Sequence, residues 1–339
     1  MIVYHNFSLL PYNTFQLDIK ADSFIEFDSV EELKNILVSP LLLSSPNIMI
    51  IGRGSNLLFL DDFKGTILHS GIKFIKKIDE NNDFVFLEVG SGIIWDDFVQ
   101  FCVENDYQGI ENLSGIPGEV GAAAVQNIGA YGVEIQEMIE KVNVVEIHSA
   151  KIHEFANADC QYGYRKSIFK KELKGKLVVT SVIFRLNKKS TYKLEYEGLE
   201  KEVHAKGEIN LKNIRQAILD IRSRKLPDYK EFGNAGSFFV NPIISKENFQ
   251  KLQKSYPNIP HYTISEKEEK IPAAWLIEQC GWKGKQIGQV KIHEHQPLIL
   301  INCGNASGKE IAKVANQIQA SVKDKFQIEL QPEVNYIYS

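Results

Sequence analysis

The pattern of apolar and polar positions sorts the first hundred residues into alternating strands and helices. Residues 24–27 read as a short strand, and Ser29 with Glu32 then makes a capping box that opens a helix through about Val38. Residues 47–51 form a compact apolar run that stops at Gly52, as a buried strand feeding a glycine turn would. Residues 84–89 read as another strand. Trp95, Phe98, Val99, Cys102 and Val103 then fall at i, i+3, i+4, i+7 and i+8, one apolar face of a helix. Residues 142–186 are strand-rich, with 177–186 the clearest run. Residues 214–222 suit a helix ending before Lys225-Leu226-Pro227, a plausible domain boundary. Further on, Pro272 suits the first turn of a helix running to Gly281, and 297–302 suits a strand. Ser307 with Glu310 caps a helix bearing Ile311, Val314, Ile318 and Val322, and a last strand is expected at 326–330. The alternation indicates an α+β or α/β chain.

Composition narrows the classes. At 339 residues the chain is long for one core, so two or three domains are expected. The 39 basic and 43 acidic side chains leave a net charge of −4 without a long basic run, which argues against a nucleic-acid surface. Cys102, Cys160, Cys280 and Cys303 lie far apart and form no CxxC pair, so reduced thiols and a cytoplasmic setting are expected. Tyr4, His5, Asn6, Pro11 and Asp18 interrupt the apolar residues of the N-terminus, unlike a signal peptide, and no apolar stretch has the length of a membrane span.

Two glycine loops carry the first chemical signal. Gly52-Arg53-Gly54-Ser55-Asn56 follows a buried strand, and its glycines would let main-chain N–H groups approach a phosphate. It is not a G-x-G-x-x-G fingerprint, because Leu57 stands at the third glycine position. The second loop runs from Ser114 through Gly115, Ile116, Pro117, Gly118 and Gly121, and on through Asn127, Gly129, Tyr131 and Gly132. So much punctuation suits a backbone wrapped around phosphates and a ribityl chain. Two such loops about sixty residues apart suggest one dinucleotide-like cofactor. Gly304–Lys309 only imitates a P-loop, since Glu310 stands where Ser or Thr is required. His293-Glu294-His295 lacks a third ligand at a useful spacing, so no metal is expected.

Six motifs in order then resemble one family. They are Gly54-Ser55-Asn56, Ile116-Pro117-Gly118, Gln126-Asn127-Ile128-Gly129-Ala130-Tyr131-Gly132, Tyr164-Arg165, Gly233-Asn234-Ala235-Gly236-Ser237-Phe238-Phe239 and Gln331-Pro332-Glu333-Val334. Together they make the chain similar to the UDP-N-acetylenolpyruvoylglucosamine reductases, in the longer subtype with a tyrosine-bearing segment at 194–198. The resemblance implies an α+β protein of three domains. Residues 1–70 with 327–339 and residues 71–212 would form an FAD-binding region of the vanillyl-alcohol-oxidase type, with FAD between them. Residues 213–326 would bind substrate, and the C-terminal strand would return to the first domain.

The same resemblance implies non-covalent FAD held by Gly52, Arg53, Gly54, Ser55 and Asn56, with Ser114, Ile116, Pro117, Gly118, Gly121, Ala122, Asn127 and Tyr131. NADPH would reduce the flavin, whose N5 would pass hydride to the enolpyruvyl carbon of UDP-N-acetylglucosamine enolpyruvate. The product would be UDP-N-acetylmuramate, a peptidoglycan precursor. Ser237 would supply the proton, Arg165 would hold the carboxylate, and Glu333 would assist at the enolate oxygen. Substrate contacts would come from Tyr196, Lys225, Asn241, Tyr262, Lys270, Lys283 and Gln296. Ala124, Tyr229 and Val240 depart from the residues frequent in the family. A monomer is expected. The competing readings are a flavin oxidase of the same fold and a nucleotide-sugar-binding module with a vestigial flavin site.

Overall fold

A computed structural model describes residues 2–189 and 192–338. The chain forms two units and passes between them more than once. One holds the described residues before Ser8, with Lys20–Gly54 and Lys64–Ser223; the other holds Ser8–Ile19, Ser55–Phe63 and the described residues from Arg224 onward.

Two larger sheets, of four and five strands, dominate the first unit. In one, Ile2–Ser8, Lys20–Phe27, Phe63–Ser70 and Ile48–Ile51 lie side by side in that order. The last two are parallel, with Ile51 opposite His69. Helix Val30–Leu37 follows the second strand, and Ser29 Oγ accepts from Glu32 N at 3.1 Å as its cap. The Glu32 carboxylate reaches back to Asp28 N at 3.0 Å. Leu33, Ile36 and Leu37 bury the helix's apolar face.

The second sheet is antiparallel, in the order Ile152–Ala156, Ile139–Glu146, Leu177–Asn187, Phe84–Gly90, Ile75–Glu80. Both its faces are covered, which explains the near-continuous apolar run of Leu177–Asn187. Val144 and Phe184 join Trp95 and Phe98 of helix Trp95–Glu104 in one core, while Val145 and Val178 join Leu33 and Ile36 in another. Helix Leu211–Lys225 outruns the expected 214–222 at both ends and packs Ile214 and Ile218 on Leu199 and Val203.

In the second unit, helix Gly308–Phe326 has a complete capping box. Ser307 Oγ accepts from Glu310 N at 3.2 Å, and the Glu310 carboxylate accepts from Ser307 N at 2.8 Å. Ile311, Val314, Ile318 and Val322 are buried, and Phe326 continues that stripe by one i+4 step. The expected strand at 326–330 is therefore absent. The helix ends at Gln327 in the left-handed region (φ 57°), and the last strand is Asn335–Ile337, parallel to Leu57–Phe59. The strand expected at 297–302 spans only Leu300–Asn302, because Ile299 N donates to Gln296 C=O in a turn. Pro272 is the N-cap of helix Ala273–Gln279 and lies just outside its first turn. Phe15, Phe238, Phe239, Leu276 and Ile318 share this unit's core. Among the described residues no helix is long and apolar enough to cross a membrane.

Candidate active site

Gly52 and the second glycine loop meet in the first unit. A Cβ on Gly52 would lie 3.0 Å from Glu119 Oε2 and 3.4 Å from Ala122 Cβ, so the two segments approach closely here. Arg53 Nε pairs with Glu119 Oε1 at 3.5 Å. Gly54 has φ 62°, where the chain turns toward Ser55 and Asn56. Gly121 packs on Ser91, 2.8 Å from where its Cβ would stand. Gly118 C=O accepts from Trp95 N at 3.0 Å, and Ile116, Pro117 and Ala122 are half-buried. The Ser114 hydroxyl is fully buried and donates to Glu111 C=O at 2.6 Å, which leaves it a structural task.

Three polar candidates here occupy left-handed backbone: Asn127 (φ 44°), Tyr131 (φ 49°) and Arg165 (φ 56°). Such strain persists only where the surroundings impose it. Asn127 is fully buried; its amide donates to Glu134 Oε2 and Gly163 C=O, both at 2.8 Å, and accepts from Gln136 N at 3.1 Å. Arg165 sits in a tight turn closed by paired Gly163 and Lys166, and donates to Gly129 C=O at 2.7 Å and Asn127 C=O at 3.4 Å. The structure thus brings Arg165 onto the loop of Asn127 and Gly129.

Three residues around this loop carry no sequence motif. Asp96 accepts both arms of Arg215, at 2.6 and 2.8 Å, and Gly115 N at 2.6 Å. Burial raises the Asp96 carboxyl, but the Arg215 fork and the Gly115 N–H outweigh it and hold it below its usual range. Arg222 presses on Gly115, its Nε 3.1 Å from where a Cβ would be, and interacts electrostatically with Tyr131. Burial lowers the Arg222 guanidinium, with Tyr131 and Asp96 opposing; the Tyr131 phenol is raised, chiefly by burial. The only sequence signal was two arginines seven apart, on one face of a helix. A half-buried cation near a phenol, beside a glycine loop lying against a second one, fits an anionic nucleotide cofactor such as FAD.

In the second unit, residues 237–240 run extended between two other segments. Ser237 bridges Ile299, Phe238 N donates to Leu298 C=O and Val240 N to Gln331 C=O, while Glu333 N donates to Phe238 C=O at 2.8 Å. Ser237 and Glu333 are so brought onto neighbouring hydrogen-bonded segments although 96 positions apart in the chain (333 − 237). Gly236 (φ 67°) precedes them, its N–H held by the buried Asn234 Oδ1 at 2.9 Å. The Ser237 side chain is exposed and that of Glu333 half-buried. Asn56, in the same unit, donates to Glu333 C=O at 3.1 Å.

The substrate candidates fall apart more than together. Tyr262 and Lys270 are register partners, with the ammonium 5.5 Å from the ring centroid. Gln296 opens the turn that ends at Ile299 opposite Ser237. Asn241 Oδ1 accepts from Ala273 N at 2.9 Å and so caps a helix. Lys283 pairs with Glu278 on the surface, and Lys225 is exposed. Tyr196 is in the first unit, its ring edge-on to Tyr131 at 5.1 Å. The two histidines of the His-Glu-His run are also occupied locally: His293 Nδ1 accepts from Gln296 N.

The paired loops and their arginine define a nucleotide-cofactor-binding unit, and residues 21–156 match the family model described as FAD binding domain. Residues 227–337 match that of the UDP-N-acetylenolpyruvoylglucosamine reductase C-terminal domain. The UDP-N-acetylenolpyruvoylglucosamine reductase of Bacteroides fragilis is 46% identical over 331 residues, 98% of this chain and 99% of that protein. Its namesake from Porphyromonas gingivalis is 44% identical over 338 residues, 99% and 100% of the two chains. A crystal structure of the Thermus caldophilus enzyme superposes with a TM-score of 0.67 at 22% identity, covering 99% and 98%. The chain belongs to the UDP-N-acetylenolpyruvoylglucosamine reductase family. The α+β expectation, with an FAD-binding region ahead of a reductase C-terminal domain, holds.

Proposed function

We propose that this protein is an FAD-dependent enzyme that uses NADPH to reduce UDP-N-acetylglucosamine enolpyruvate to UDP-N-acetylmuramate, as a cytoplasmic monomer serving peptidoglycan synthesis. The three-domain division given above belongs to this reading. What carries it is the 237–240 segment, whose main chain is held on both sides while the Ser237 hydroxyl stays exposed, in a chain 46% identical to a reductase so named.

Bound FAD supplies the two-electron chemistry that no side chain can. Gly52, Arg53, Gly54, Ser55 and Asn56 would hold it, with Ser114, Ile116, Pro117, Gly118, Gly121, Ala122, Asn127 and Tyr131. Ser237 gives its proton to the substrate carbon that becomes the lactyl ether carbon. A hydroxyl is a weak acid, but the carbanion it meets is strongly basic. Arg165 offers a permanently charged fork to the substrate carboxylate, and Glu333 hydrogen-bonds the enolate oxygen as charge develops there. Tyr196, Lys225, Asn241, Tyr262, Lys270, Lys283 and Gln296 bind the nucleotide sugar, the lysines facing its diphosphate.

The direct test is to mix purified protein with NADPH and UDP-N-acetylglucosamine enolpyruvate and follow NADPH loss. Loss that needs both protein and substrate is expected. A colourless protein without flavin absorbance would support the binding-module reading. Rapid reoxidation of reduced flavin by air alone would favour the oxidase.

A further inference from the structure

His69 lies in strand Phe63–Ser70, only 3% exposed, with an acidic partner at each ring nitrogen. Nδ1 stands 2.7 Å from Glu26 Oε2, and Nε2 stands 3.1 Å from Glu119 Oε1. Phe24 stacks on the ring at 6.0 Å. With a carboxylate oxygen within hydrogen-bond reach of each ring nitrogen, the ring is placed to donate to both. The carboxylates differ in setting: the Glu26 side chain is 42% exposed, that of Glu119 only 5%. Glu119 is the N-cap residue of helix Val120–Gln126, but its side chain does not cap it. It points instead toward Gly52, with Oε2 3.0 Å from a Cβ built there. A nearly buried negative charge thus stands against a loop whose proposed ligand is a pyrophosphate. Unneutralised, it would repel that ligand. Arg53 is one counter-charge at 3.5 Å, on a side chain 43% exposed and so well screened. His69 is the buried one, and its place opposite Ile51 puts it one residue from the loop.

We propose that His69 is a positioning residue for the cofactor loop: it neutralises and orients Glu119 so that the Gly52 turn can accept an anion. This rests on FAD being the ligand of that loop. The test measures FAD affinity of apoprotein by quenching of flavin fluorescence, with far-UV circular dichroism to verify folding. His69→Asn keeps a donor for Glu26 but cannot reach Glu119, and its Kd for FAD is expected to rise about 10- to 100-fold, the loss of one charge-assisted hydrogen bond to a desolvated carboxylate. The double variant His69→Asn/Glu119→Gln removes the stranded charge and should return to within about threefold of wild type. Glu119→Gln alone should stay within the same range, which reads the idea even where His69→Asn does not fold. Undiminished affinity in His69→Asn, no rescue in the double variant, or a loss in Glu119→Gln as large as in His69→Asn would each overturn the proposal. Wild-type apoprotein that does not quench FAD would instead remove the cofactor reading, and this one with it.

Discussion

The two units hold their candidate residues in opposite ways. In the first, polar candidates are turned inward and used up. Asn127 has three hydrogen bonds and no exposure, Ser114 is bound to Glu111, and Arg165 grips Gly129. In the second, the backbone does the holding. Ser237 is exposed on a segment bridged at Ile299, with Glu333 on the adjoining segment, and Lys225, Lys283 and Tyr262 stand in solvent. A surface that must wrap a cofactor gains from rigid polar supports buried behind it. One that must release its ligand each cycle keeps its side chains free and orders the main chain instead. A loss of stability and a loss of chemistry should therefore separate between the units.

The largest separation is expected at Ser237→Ala. Flavin reduction by NADPH should stay normal while reoxidation by the enolpyruvyl substrate slows by about 10²-fold or more. Folding stability should move by less than about 0.5 kcal/mol, as for other surface changes. Stopped-flow absorbance and a denaturant curve read both, and unimpaired reoxidation would take Ser237 out of the proton-donor role. Asn127→Ala should do the converse: about 2–4 kcal/mol of stability lost in chemical denaturation, with weaker FAD retention, since it orphans buried partners and leaves Ala in the left-handed region.

Asp96 sharpens the contrast through pH. Its carboxyl is held below the usual range in the folded chain, so its contribution is present above the unfolded value of about 4 and lost as pH falls through the folded value. Melting temperature should therefore drop on acidification below about pH 4, and Asp96→Asn should flatten that limb while costing about 1–3 kcal/mol near neutrality. An unchanged acid limb would exclude Asp96 as its source. The smallest effects belong to two lysines, Lys270, half-buried, and Lys283, exposed. Lys270→Ala, which removes the cation over Tyr262, should raise KM about tenfold. Lys283→Ala, freed only from a surface pair with Glu278, should change it less than about threefold. Equal KM effects would erase the distinction between the ring-anchored and the surface lysine.

The elements were legible where periodicity was long and capped, as in Trp95–Glu104 and Gly308–Phe326, and least legible at their ends. The 326–330 error arose because Phe326, Ile328 and Leu330 alternate like a strand, although Phe326 also completes a helical stripe, and the longer element won. The glycine loops and the Ser237 motif were visible as motifs, since glycine content and turn residues are local properties. His69, Glu119, Asp96 and Arg222 were not visible. Each matters for what lies beside it, and those neighbours are as much as 126 residues away (222 − 96). Residue type and order alone established the family, the α+β class and the loops suited to phosphate. Only the tertiary structure decided which polar side chains are spent on the fold and which remain open to a ligand. That outcome depends on burial and on distant hydrogen-bond partners, which no local window of sequence contains.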